Sequence, residues 1–105
     1  LLQATNRLAA AEPLMRRALA IDEASFGANH PNVAIRLNNL AQLLRATNRL
    51  AEAEPLLRPA LAICIKSLGP DHPSSRVVKA NYISLLQATG GTDHEISAAL
   101  ASLIA

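Results

Sequence analysis

LLQATNRLAAAEPLMRRALAI at Leu1 to Ile21 returns as LLRATNRLAEAEPLLRPALAI at Leu43 to Ile63, an offset of 42 residues (43 − 1). About half of the positions between 1 and 42 recur at that offset, and LLQATGG at Leu85 to Gly91 begins a third copy. Self-similarity at a fixed period of this length marks a stacked-repeat architecture, in which each unit touches mainly its neighbours. Such an array presents an extended curved surface, which suits binding better than enclosed chemistry.

The 105 residues hold one domain, and half are apolar, with a single Phe and a single Tyr. The core is therefore aliphatic. Leu and Ala, strong helix formers, dominate, while the β-branched and aromatic residues that favour strands are sparse. An all-α chain of antiparallel helix pairs follows. Ten basic and eight acidic residues leave a formal charge of +2. No basic run or basic-aromatic alternation indicates a nucleic-acid surface. No stretch reaches the roughly 20 apolar residues that span a bilayer, and the first residues lack the features of a signal peptide. Neither nucleic acid nor membrane is expected as a partner. The lone Cys64 excludes an internal disulfide and is compatible with a reducing compartment, so the cytoplasm is the expected location. Leu1 and Leu2 correspond to Leu43 and Leu44, which lie inside a helix, and the expectation is that the chain is part of a longer array.

Punctuation divides the sequence. Gly27 and Gly69 sit where a helix stops, and Pro31 and Pro73 where the next one starts, in the loops FGANHP and LGPDHP. A tighter break falls at Thr47-Asn48-Arg49, and its third-copy version is Thr89-Gly90-Gly91. The spacing predicts helices over 7–26, 31–47, 50–68, 73–88 and 93–104, with a capping box at Thr92 and Glu95 for the last. Val33, Leu37, Leu40, Ala41 and Leu44 form one apolar stripe. Ala53, Leu56, Leu57, Ala60, Leu61, Cys64 and Leu68 form a wider arc, as a helix with neighbours on two sides requires. Pro55 and Pro59 project from the opposite side, where water repairs the lost hydrogen bonds.

LNNLAQLLRATNRLAEAEPLLRPALAI at Leu37 to Ile63, followed by LGPDHP at Leu68 to Pro73, resembles the 42-residue tetratricopeptide repeat of kinesin light chains and of many bacterial proteins. The resemblance implies a right-handed α-solenoid with helix A starting at Pro31 and Pro73, and helix B near Arg7, Leu50 and Asp93. It places signature positions on Leu37, Leu40, Ala41, Leu44, Ala53, Leu57 and Ala60, with Ala11, Met15 and Ala18 serving the first repeat. Residues 1–30 are then a partial repeat, 31–72 a complete one and 73–105 a degenerate or capping one. The third copy departs from the pattern: Lys79 stands where Leu37 does, the AEAEPL motif is lost, and Val78, Tyr82, Leu85 and Leu86 offer a rotated stripe. Either it is a terminal cap with Lys79 reaching water, the reading preferred here, or its helix B packs differently.

The resemblance also implies ligand contacts on helix A, along a concave groove. Asn38, Gln42 and Arg45 lie opposite the core stripe, with Ile35 and Asn39 at its margins, and Asn81, Ser84 and Gln87 with Val77 occupy the next repeat. Amides carry donors and acceptors and can hydrogen-bond an extended peptide backbone. The same residues can also simply solvate an exposed face, with Asn39 and Asn81 bridging helices. The expected function is a scaffold that binds a protein or peptide segment; the alternative is a self-associating solenoid with no peptide ligand. Self-association is expected through a patch at Leu8, Ala11, Met15 and Leu19, by two-fold or head-to-tail contact.

Residues of catalytic type give no constellation. His30 and His72 are repeat equivalents placed before a helix-starting proline, which points to a loop or capping role, and His94 is a solvated side chain. Cys64 falls in an apolar arc without an activating base. Glu12, Glu52 and Glu54 are surface charges on helix B. No glycine-rich phosphate loop is present. No enzyme, cofactor or metal is expected.

Overall fold

A computed structural model describes the backbone of residues 2–104 and the side chains of residues 7–103. Leu1, one member of the expected match to Leu43 and Leu44, lies outside the described residues. Five helices follow one another: α1 (Leu2–Phe26), α2 (Pro31–Ala46), α3 (Leu50–Leu68), α4 (Pro73–Ala88) and α5 (Asp93–Ile104). No strand occurs among the described residues.

The 42-residue period in sequence is a period in backbone geometry. The Arg49 N–H donates to the Leu44 carbonyl at 2.7 Å, and 42 residues on the Gly91 N–H donates to the Leu86 carbonyl at 2.8 Å. Asn48 takes φ 61° and its counterpart Gly90 φ 89°, so both turns reverse the chain through a residue that tolerates positive φ. At Gly91 an added Cβ would lie 2.9 Å from the Leu86 carbonyl oxygen, although its counterpart Arg49 carries a Cβ in a turn with the same hydrogen bond. The first copy differs. Thr5-Asn6-Arg7 matches the 47–49 turn but remains helical, so α1 starts at Leu2 rather than at 7. Among the described residues no helix precedes α1 for the chain to turn back against.

Both long loops end in the same cap. The Asn32 N–H donates to His30 Nδ1 at 3.0 Å, and the Ser74 N–H donates to His72 Nδ1 at 3.1 Å, each satisfying a donor that a helix start leaves unpaired. Phe26 stacks on His30 with centroids 4.6 Å apart. The two histidines are thus N-caps, with Pro31 and Pro73 in the first helical turn. His72→Ala is expected to destabilise the fold by about 0.5–2 kcal/mol, and His72→Asn to restore most of that. Urea unfolding of the three proteins checks both. The Thr92 and Glu95 capping box also forms: the Thr92 N–H donates to Glu95 Oε1 at 2.9 Å, and the Glu95 N–H to Thr92 Oγ1 at 3.2 Å. Those bonds to the Thr92 backbone and hydroxyl hold the Glu95 carboxyl below its ordinary pKa.

The core sits where α2, α3 and α4 meet. Leu40 and Leu44 of α2, Leu57 and Leu61 of α3, and Leu85 of α4 are fully enclosed, and Ala34, Ala41, Ala53 and Ala60 are buried where helices approach closely. α3 packs on α2 on one side and α4 on the other, which is why its apolar arc is wide. Pro55 and Pro59 face solvent. In α4 the stripe is rotated: Val78, Tyr82 and Leu85 are buried, while Lys79 is exposed. α5 lies against α3 as well as α4 and anchors through Ile96, with Leu100 and Leu103 half-buried. It is a looser companion to α4 than α3 is to α2.

Candidate functional site: the helix A face

α2 and α4 lie side by side, and the seam between them is polar. Asn81 Nδ2 donates to Asn38 Oδ1 at 3.0 Å, and Arg45 Nη1 donates to Ser84 Oγ at 2.8 Å. Four of the nine residues placed in the groove from sequence therefore bind one another. Asn38 does not lie opposite the core stripe: it is buried, turned toward α4, and it, not Asn39, is the partner of Asn81. Gln42 and Arg45 are half-buried along the same seam. The reason is angular. The stripe of Val33, Leu37, Leu40 and Leu44 faces helix B, and residues about 100–140° from it face the neighbouring helix A rather than solvent.

The exposed centre of α2 is instead Ile35 and Asn39, and that of α4 is Val77, with Gln87 exposed near its end. Ile35 and Val77 are repeat equivalents (35 + 42 = 77), so adjacent helices each present an uncovered aliphatic side chain at the same level. The seam fixes the two helices relative to one another. It also leaves unfilled hydrogen-bonding capacity on Asn39, Gln42 and Gln87. The face can offer amide groups to a peptide backbone and shallow apolar contacts to its side chains.

The other side of the molecule holds a cleft of about 430 Å³ between α1, α2 and α3. Val33, Leu37 and Ile63 form its floor, Glu23 and Lys66 stand on opposite walls, and the Ser67 hydroxyl donates to the Asn29 carbonyl at 3.3 Å beside it. Periodicity within one helix does not find this cleft, because its lining comes from three helices and the loop between α1 and α2.

Ion pairs link α1 to the start of α3 and to α2, and others lie within single helices. Arg49, at the N-cap of α3, pairs with Glu12 of α1 and with Glu52 of α3, Arg36 with Asp22 at 2.8 Å, and Arg58 with Glu54 at 2.6 Å. The Arg49 guanidinium, followed by Arg16, holds the Glu12 carboxyl below the usual carboxylate range, and Arg49 does the same for Glu52. Glu12, Glu52 and Glu54 are each paired with an arginine. The Cys64 thiol is fully enclosed, and burial pushes its pKa up, the opposite of what activates a nucleophile. Among the described residues no group of three His, Cys, Asp or Glu side chains could hold a metal ion, and no helix is long and apolar enough to cross a membrane.

The sequence matches the tetratricopeptide repeat family over residues 1–64, from the start of α1 into α3. The chain belongs to the tetratricopeptide-repeat family. No curated protein matches it. Tetratricopeptide repeats are in general protein–protein interaction modules and typically non-enzymatic, and the all-helical architecture described above agrees with membership. The family match ends at Cys64, short of α4 and α5, where Lys79 interrupts the pattern.

Proposed function

We propose that the chain is a protein-binding scaffold which holds an extended segment of a partner against the α2 and α4 face. The observation that supports this most is the pairing of uncovered Ile35 and Val77 on helices locked together by the Asn38–Asn81 and Arg45–Ser84 bonds. A preordered face loses little freedom on binding, and free amides beside it accept a peptide backbone without demanding particular side chains. Specificity then falls to the two aliphatic contacts and to Arg45. A cytoplasmic setting suits the free buried thiol. The reading assigns the chain no catalytic step of its own.

The test uses exposed positions only. The combined variant Ile35→Ser, Asn39→Ala, Val77→Ser and Gln87→Ala is expected to keep the helicity of the parent, since exposed substitutions usually shift stability by within about 0.5 kcal/mol each. Its affinity for peptides selected on the parent from a displayed library is expected to fall at least about tenfold, roughly 1.4 kcal/mol. Titration calorimetry measures the difference, and unchanged affinity would reduce the face to a solvated surface.

Self-association is supported by a different observation. Leu8, Met15 and Leu19 pack against the core, so the patch expected there is half covered; the exposed apolar residues of α1 are Leu14, at 66% exposure, and Ile21, at 56%. Ile63, the repeat equivalent of Ile21, is 8% exposed because α2 covers it. An uncovered stripe of this kind tends to find a partner. Sedimentation across a concentration series is expected to show reversible dimers that Ile21→Glu abolishes; a monomer at every concentration removes the reading.

A further inference from the structure

Glu23 and Lys66, on opposite walls of the cleft between α1, α2 and α3, make no ion pair among the described residues. The neighbouring carboxylate, Asp22, is taken by Arg36 at 2.8 Å. Between the two free charges the lining is aliphatic, with Val33, Leu37 and Ile63 on the floor and Pro59 beside them. The volume, about 430 Å³, falls within the roughly 300–1,000 Å³ of ligand sites. Glu23, Pro59 and Lys66 are all exposed, so the cleft is an open trough.

This combination is not a requirement of the repeat. At the offset of 42, Glu23, Val33 and Leu37 correspond to Ile65, Ser75 and Lys79, and Lys66 corresponds to Ala24. Glu23 also lies in the last turn of α1, which carries no basic residue. A carboxylate there faces the negative end of the helix dipole, an unfavourable place that a cation from outside relieves. Lys66 lies in the last turn of α3, where the dipole favours its charge. The call for a cation at Glu23 is therefore stronger than the call for an anion at Lys66.

We propose that this cleft holds the carboxy-terminal lysine of a partner chain. The ammonium meets Glu23, the terminal carboxylate meets Lys66, and the methylene stem lies on Val33, Leu37 and Ile63. An internal lysine lacks the carboxylate and an aliphatic side chain lacks both charges, so neither answers both walls. The open trough lets the rest of the partner leave. Free lysine fits less well, because its α-ammonium stands beside the carboxylate and faces Lys66. The cleft is on the other side of the molecule from the α2 and α4 face, and the two readings fail independently.

The test titrates the labelled full chain with small probes and follows its amide shifts. Nα-acetyl-lysine, which reproduces the chain terminus, is expected to shift the amides of Glu23, Val33, Ile63 and Lys66 saturably and to leave Ile35 and Val77 unmoved. Nα-acetyl-norleucine, without the ammonium, and Nα-acetyl-lysine amide, without the carboxylate, should each bind at least about threefold more weakly, as exposed ion pairs allow, with the larger loss for the ammonium. Two variants trace each charge to its residue. In Glu23→Gln, acetyl-lysine and acetyl-norleucine should bind alike, and in Lys66→Met the acid and the amide should; both positions are exposed, so the fold of each variant is kept. Equal binding of all three probes to the parent, discrimination that survives the substitutions, or no saturable shift at these amides overturns the proposal. Free lysine binding as tightly as its acetylated form assigns the cleft to a free amino acid and also overturns it.

Discussion

Leu57→Ala lowers the stability of the chain by about 2–5 kcal/mol in urea unfolding, whereas Met15→Ala at the same repeat position lowers it by about half of that or less. The two residues are 42 apart and chemically alike, but their surroundings differ. Leu57 is 1% exposed on a helix enclosed by α2 and α4, so truncation leaves a cavity that rigid neighbours on two sides cannot close. Met15 is half-buried, packed on one neighbour and open to water on the other side. Its truncation removes less contact and leaves a notch that water fills. Equal losses at the two positions would mean that α1 is covered in solution as fully as α3.

Ala60→Leu produces the second large effect. Ala60 is fully enclosed, and the added methylenes have no free volume, so repacking is expected to cost about 1–3 kcal/mol and to lower Tm by several degrees. Ala18→Leu, its counterpart on α1, is expected to be neutral within about 0.5 kcal/mol because Ala18 is only half-buried. Differential scanning calorimetry of the two variants resolves the contrast. A tolerated Ala60→Leu would contradict the close approach of α3 to its neighbours.

Helix identity, order and pairing were readable from the sequence because repetition supplied each signal twice. The Gly-Pro loops, the Asn48 and Gly90 turns, the capping box and the apolar stripes all emerge where periodicity and cap chemistry place them. The helical Thr5-Asn6-Arg7 segment was not readable, since the same three residue types turn the chain at 47–49 and stay helical at 5–7. The helix A face was readable in part. Sequence reasoning separated residues that face the core from those that do not, and it foresaw a bridge between helices at Asn81 but gave it the wrong partner, Asn39. Asn38 shows the error: a residue about 140° from the stripe meets the adjacent helix A, so its amide serves the seam. Only knowledge of which helices are neighbours distinguishes seam from surface, and that information is tertiary. Ile35 and Val77 were placed on the helix A face from sequence, and both are exposed there. The capping role of His30 and His72 was correctly inferred from position, although Nδ1 as the acceptor follows only from geometry.

The claim that the α2 and α4 face receives a partner segment is tested most directly by amide chemical-shift mapping of the labelled chain with a peptide selected on it. The account predicts shifts concentrated at Ile35, Asn39, Gln42, Val77, Ser84 and Gln87, with the amides of α1 and of the α3 solvent side unmoved. Shifts clustered instead at Glu23, Ile63 and Lys66, around the cleft between α1, α2 and α3, would contradict it.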